Sequence, residues 1–262
     1  MKPIDAFPRK DLQRIRFVLT DIDDTLTVNG RLPAVVFAAM ERLMAVGLHT
    51  IPITGRPAGW CDHIARMWPV TAVVGENGAF YFYYDTNRHR MIRRYRRSDR
   101  QRREDRRKLI QLREEILEKI PGAAVSADQI YREADLAIDY CEDVAPLSDS
   151  DVERIVDLFE AMGATAKISS IHVNGWFGNY DKLSMIRQLF EEVFAEDLAA
   201  IRDSVIFIGD SANDAPLFGY FPHAVGVANV RSFVEKMDHL PTWITEAEGG
   251  FGFVELVDRL LQ

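Results

Sequence analysis

Asp21, Asp23 and Asp24 place three carboxylates within four residues, in the segment Asp21-Ile-Asp23-Asp24-Thr25-Leu26-Thr27. Like charges this close repel, and a bound cation is the simplest way to hold them together. Carboxylate oxygens are hard donors, so Mg2+ is the cation that fits. Taken alone, the cluster has an alternative reading as an acidic strand-to-helix turn with Asp as the helix cap. A second acidic group, Gly209-Asp210-Ser211-Ala212-Asn213-Asp214, follows the apolar run Val205 to Ile208. Parallel strands that both end in acids present them at one sheet edge, so Asp210 and Asp214 are expected to complete a metal site with Asp21.

Thr54-Gly55-Arg56 stands at the end of another short apolar run, His49 to Thr54. A hydroxyl followed by Gly, with free backbone N–H groups at a helix start, suits phosphate oxygens; an ordinary capped turn is the alternative. Lys182 opens a later helix and by itself reads as a surface charge. Together these residues compose a phosphoryl-transfer site. Asp21 attacks phosphorus, a metal eases the approach of carboxylate to phosphate, and Lys182 and Thr54 hold the equatorial oxygens. Asp23, two residues on, protonates the leaving oxygen and then deprotonates the water that hydrolyses the aspartyl-phosphate.

The elements that position these residues alternate. Arg16 to Asp21 reads as a buried strand, Pro33 to Gly47 as a helix with Val36, Met40, Leu43 and Met44 on one face, and His49 to Thr54 as a second strand. A helix over Pro57 to Met67 and a strand over Ala72 to Gly75 follow, an order that predicts an α/β fold with a parallel, Rossmann-like sheet. Asn77-Gly78 then introduces a hairpin, Phe80 to Tyr84 and Met91 to Tyr95. A charged helix over Asp99 to Ile120 carries Leu109, Ile110, Leu112, Ile116 and Leu117 on about one side. Strands at Leu136 to Tyr140, near Lys167 and at Ile171 to Asn174, with a helix over Ser150 to Met162, complete an inserted α+β domain expected over 86–177. Residues 1–85 and 178–262 form the core, whose rhythm resumes with a helix over Asp181 to Phe194 and strands at Val205 to Ile208, Ala224 to Val227 and Trp243 to Thr245. A helical start at Ala215 to Phe218, the segment Val230 to Met237 and a terminal helix over Val254 to Leu261 fill the intervals.

Composition narrows the class. The chain has 262 residues, 47% of them hydrophobic, enough to bury a full core, and a formal charge of −8. Twelve Arg or Lys against three acids between Arg88 and Lys108 leave that window at +9 and the remainder at −17. An acidic remainder argues against a dedicated nucleic-acid binder. The basic stretch reads as a solvated helix face, as a surface recruiting an anionic substrate, or as a contact for nucleic acid or a partner. Cys61 and Cys141 have no neighbours at metal-ligand spacing and are expected to be ordinary thiols. With no signal-like or spanning run, the chain is expected to be cytoplasmic. Gly249-Gly250-Phe251-Gly252 lacks the spacing of a dinucleotide-binding loop.

Asp21-x-Asp23-x-Thr25, Thr54-Gly55-Arg56, Lys182 and Gly209-Asp210-x-x-Asn213-Asp214 resemble, in order, the four motifs of the haloacid dehalogenase superfamily. The insertion, preceded by Glu76-Asn77-Gly78-Ala79, resembles the C2-type cap of its Cof-like, subfamily IIB hydrolases, relatives of sucrose-, trehalose- and mannosyl-3-phosphoglycerate phosphatases. The resemblance implies Asp21 as nucleophile and Asp23 as acid and base. It implies Mg2+ on the Asp21 carboxylate, the Asp23 carbonyl and Asp210, with Asp214 in support directly or through water. Thr54, Gly55, Lys182 and Asn213 would bind the phosphoryl group, with Arg56 adding to it. Asp24 departs from the pattern, since many of these hydrolases have Gly there. The implied substrate is a small phosphomonoester, a sugar phosphate by class, contacted by the cap, where His172, Trp176 and Tyr180 are candidate contacts or ordinary core. A phosphomutase on the same core, and a non-catalytic phosphate-ligand or nucleic-acid-associated protein using the arginine stretch, are the alternatives.

Overall fold

Strands such as Phe17-Val18-Leu19 and Val205-Ile206-Phe207-Ile208 are apolar at every position, so both of their faces must be covered. The computed structural model, which describes residues 1–169 and 171–262, meets that requirement. The chain runs through strands β1 (Lys2–Pro3), β2 (Phe17–Thr20), β3 (His49–Pro52), β4 (Val73–Gly75), β5 (Phe80–Asp85) and β6 (Arg90–Tyr95), with helices α1 (Arg9–Leu12), α2 (Ala34–Ala45) and α3 (Ala58–Met67) between them. It continues through α4 (Asp99–Lys119), β7 (Ala124–Val125), β8 (Asp135–Asp139), α5 (Asp149–Ala161), β9 (Thr165–Ile168) and β10 (His172–Trp176). It closes with α6 (Lys182–Leu189), α7 (Leu198–Ile201), β11 (Val205–Gly209), α8 (Ala215–Tyr220), β12 (His223–Gly226), β13 (Trp243–Ile244) and α9 (Gly249–Leu260).

Two compact units result: Met1–Gly55, Cys61–Arg94 and Asp181–Gln262 in the first, Arg56–Trp60 and Tyr95–Tyr180 in the second. The first is built on a six-stranded sheet in the order β1-β13-β12-β11-β2-β3, every pair of it parallel. The mixed α/β fold with a parallel sheet is the one the alternation predicts. Phe17, Leu19, Ile51, Phe207, Met185, Leu189 and Phe190 share its buried core. The expected helix over Asp181 to Phe194 is α-helical only to Leu189; Phe190–Phe194 forms a π-turn that ends at Ala195, φ +53°. Glu196, not an apolar residue, follows that left-handed stop and pairs with Arg16.

The second unit has a four-stranded antiparallel sheet, β7-β8-β10-β9, with α4 and α5 against one face. Ser98 starts α4 with a reciprocal cap, its side chain accepting from Gln101 N–H while Gln101 accepts from Ser98 N–H. Leu109, Leu112 and Ile116 are buried with Ile138, Ile155 and Phe159, whereas Ile110 and Leu117 are exposed, so the apolar stripe is narrower than the sequence pattern implied. Trp176 and Tyr180 are buried with stacked rings, as core residues. Among the described residues no helix is long and apolar enough to cross a membrane.

Candidate active site

Parallel pairing carries the acids to one edge. Thr20, the last residue of β2, lies opposite Ile208 of β11, and Asp21 N–H donates to the Ile208 carbonyl at 2.9 Å, so Asp21 and Asp210 leave the sheet side by side. The chain turns sharply after Asp21. Asp24 has φ +55°, its N–H donates to Thr27 Oγ1 at 2.9 Å, and its carbonyl accepts from Asn229 at 3.0 Å. That left-handed conformation explains why glycine would serve there, and Asp is one of the few other residues that tolerate it. Behind the turn, a Cβ on Gly250 would lie 2.5 Å from the Leu26 carbonyl, so the Gly249-Gly250 pair permits α9 to pack against this loop.

Lys182 is fixed as the first residue of α6. Asp181 caps the helix, its Oδ1 accepting from Ser184 N–H at 2.7 Å while Ser184 Oγ accepts from Asp181 N–H at 3.0 Å. From there Lys182 Nζ donates to Asp21 Oδ1 at 2.9 Å and to Asp214 Oδ1 at 3.1 Å. The helix start is in turn braced by Glu76-Asn77-Gly78, three consecutive residues with φ of +42°, +56° and +101°. A Cβ on Gly78 would sit 2.1 Å from the Asp181 carbonyl, and one on Gly55 would sit 3.3 Å from Asn77 Oδ1. Asn77 N–H also donates to the Thr54 carbonyl at 3.2 Å. The turn that the sequence offered as a hairpin thus ties the Thr54-Gly55 segment to the one bearing Lys182. Its only sequence signal was the pairing of Asn with Gly, both tolerant of positive φ.

Both oxygens of Asp214 accept hydrogen bonds. Its Oδ1 accepts from Lys182, and its Oδ2 accepts from the N–H groups of Asp210 at 3.1 Å and Ser211 at 3.4 Å. Thr25 Oγ1 donates to Asp210 Oδ1 at 3.0 Å, joining the two acidic segments directly, a contact between residues 185 positions apart that spacing could not reveal. Asp23 and Asn213 are half-buried in their turns, Thr54 is buried, and Gly55 is half-buried. Arg56 falls in the second unit, its guanidinium 4.5 Å over the Trp60 ring.

Burial dominates the electrostatics. It pushes the Asp21 carboxyl up to about 7 against the pull of Lys182, with Asp214 and Asp23 adding to the rise. Asp210 is pushed up to about 9, first by burial and then by the charges of Asp214 and Asp21. Burial acts to lower Lys182, but its two carboxylate partners outweigh that and hold it above the ordinary ammonium value. One ammonium therefore faces more negative charge than it can balance if all the carboxylates ionise. The donors in the cluster are oxygens, the set that suits a hard divalent cation.

The fold of this chain is similar to that of haloacid dehalogenase-like hydrolases. The chain is 26% identical over 248 residues to a phosphoglycolate phosphatase of Nitrosopumilus maritimus, covering 94% of this chain and 96% of that protein. It superposes on a crystal structure from Thermoplasma acidophilum with a TM-score of 0.74 at 18% identity, covering 94% of this chain and 98% of the other. A haloacid dehalogenase-like hydrolase of Bacteroides thetaiotaomicron gives a TM-score of 0.69 at 14% identity, covering 94% and 99%. No family model matches the chain.

Proposed function

We propose that this chain is a Mg2+-dependent phosphatase that hydrolyses a small phosphomonoester, a sugar phosphate by class, through an aspartyl-phosphate on Asp21. The observation that carries the reading is the double hydrogen bond of Lys182 to Asp21 and Asp214 across 161 and 32 residues of chain. It sets a cation against the nucleophile, where the oxygens of a phosphoryl group would lie.

Asp21, the Asp23 carbonyl and Asp210 would hold Mg2+, which supplies the positive charge that lets an anionic carboxylate approach an anionic phosphate. An Asp21 oxygen attacks phosphorus as the bond from phosphorus to the leaving oxygen breaks, and Asp23 gives that oxygen its proton. Water then attacks the aspartyl-phosphate, Asp23 takes the water proton, and inorganic phosphate leaves with Asp21 restored. Lys182, Thr54, the Gly55 N–H and Asn213 hold the equatorial oxygens. Asp214, whose oxygens accept from Lys182, Asp210 N–H and Ser211 N–H, would support the metal directly or through water while positioning Asp210.

The likeness to a phosphoglycolate phosphatase favours a second substrate reading, a small phosphorylated acid. Phosphate release with Mg2+ from phosphorylated sugars, sugar acids, phosphoglycolate and p-nitrophenyl phosphate separates the two. Asp21→Asn is expected to lower the turnover of every active substrate by at least ~10³-fold while folding normally. Wild-type turnover in that variant would overturn the reading.

A further inference from the structure

The second unit carries a ligand set of its own. Asp139 ends β8 directly opposite His172, which begins β10, so their side chains share one face of the sheet, while Leu136, Ile138 and Val173 lie in the apolar core. After Asp139 the chain folds back on that carboxylate. Its Oδ1 accepts from Cys141 N–H at 3.0 Å and Glu142 N–H at 2.8 Å, and its Oδ2 accepts from Asp143 N–H at 2.9 Å. The turn brings Glu142 over the imidazole, with Oε2 at 2.8 Å from His172 Nε2. One ligand atom from each of Asp139, Glu142 and His172 lies within 4.8 Å of the other two.

His172 Nε2 supplies the decisive observation. The side chain is only 4% exposed, and the nitrogen makes no hydrogen bond among the described residues. Its neighbour is Glu142 Oε2 at 2.8 Å, an ion pair when the ring is protonated. A buried ring nitrogen with no hydrogen bond of its own, set 2.8 Å from one carboxylate and near a second, is suited to coordination. Two ligand atoms each ~2.1 Å from one cation, at angles between square and tetrahedral, lie roughly 2.9–3.4 Å apart, close to the separation of Oε2 and Nε2.

We propose that Asp139, Glu142 and His172 form a Zn2+ site in the second unit. Imidazole nitrogen beside carboxylate selects Zn2+ over Mg2+, which favours oxygen alone, so this site and the oxygen cluster of the first unit differ in the metal they take. Bound there, the ion would join the end of β8, the turn over 140–143 and the start of β10 into one clip. Glu142, with 37% of its side chain exposed, opens the site to solvent, and three protein ligands leave a fourth tetrahedral position for water.

Titration of the chelator-treated full chain with Zn2+ in excess Mg2+, which competes for the proposed all-oxygen site, tests the assignment. The wild type is expected to bind one Zn2+, and both Glu142→Gln and His172→Ala are expected to weaken that binding at least ~10-fold. Replacing Zn2+ with Co2+ should give the ligand-field bands of imidazole coordination, absent in His172→Ala. Glu142→Gln alters a partly exposed side chain, so it keeps the test decisive if His172→Ala fails to fold. No Zn2+ bound in excess Mg2+, or unchanged affinity in Glu142→Gln, would overturn the proposal.

Discussion

Lys182 shows how much one side chain can settle. Its ammonium holds Asp21 and Asp214 together, and removing it would leave buried carboxylates without their counter-charge. Lys182→Met is therefore expected to lower folding stability in chelator by about 3–5 kcal/mol, measured by urea unfolding, and to abolish most phosphate release. Asp21 and Asp210 make the metal-free protein sensitive to pH. Their folded values, about 7 and about 9, stand above the ordinary 3.8, so between those limits the folded state binds protons that the unfolded state has released. Stability in chelator from these two groups is full below that window and falls as pH rises through it. The rise in Tm on adding Mg2+ should consequently grow from pH ~5 to pH ~8, and a Mg2+ effect independent of pH would contradict this account. At this scale the sequence exposed the acids and the lysine, since each sits at an element boundary. It concealed Thr25 bonding to Asp210 and Lys182 bonding to Asp214, because both depend on which elements become neighbours.

Elements matter here for where they begin and end. Gly78 lies in the left-handed region with no room for a Cβ against the Asp181 carbonyl, whereas Gly30, φ +71°, has nothing within 4 Å of that position. Gly78→Ala should cost at least ~1 kcal/mol beyond Gly30→Ala in denaturant unfolding, and it alone should reduce kcat by shifting the start of α6. Equal losses in the two variants would show that the turn does not brace Lys182. The long elements were readable from periodicity: β2, β3, β11, α2 and α4 all fall close to their expected limits. Short pieces such as β1, β7 and α7 were not, because two to four residues carry no period and owe their shape to neighbours. The π-turn after α6 was equally invisible, since Phe190, Val193 and Phe194 keep an apolar pattern through it.

On the scale of the whole molecule, charge is unevenly spread but largely answered locally. Along α4 and its approach, Arg97 pairs with Asp105, Arg100 with Glu104, and Arg102 with Asp99 and Glu133, while Arg103, Arg106 and Arg107 are exposed. If that helix presents a solvated face, replacing Arg103, Arg106 and Arg107 together by Gln should change kcat/KM for p-nitrophenyl phosphate less than ~2-fold at low and high salt. A larger, salt-dependent loss would assign the stretch to substrate recruitment. Whether Asp21 carries the phosphoryl group is read by mass spectrometry of acid-quenched enzyme turning over p-nitrophenyl phosphate with Mg2+. One phosphoryl group is expected on Asp21, accumulating in Asp23→Asn and missing in Asp21→Asn; turnover with no phosphoryl group on Asp21, or with the group on another residue, would rule out Asp21 as the nucleophile.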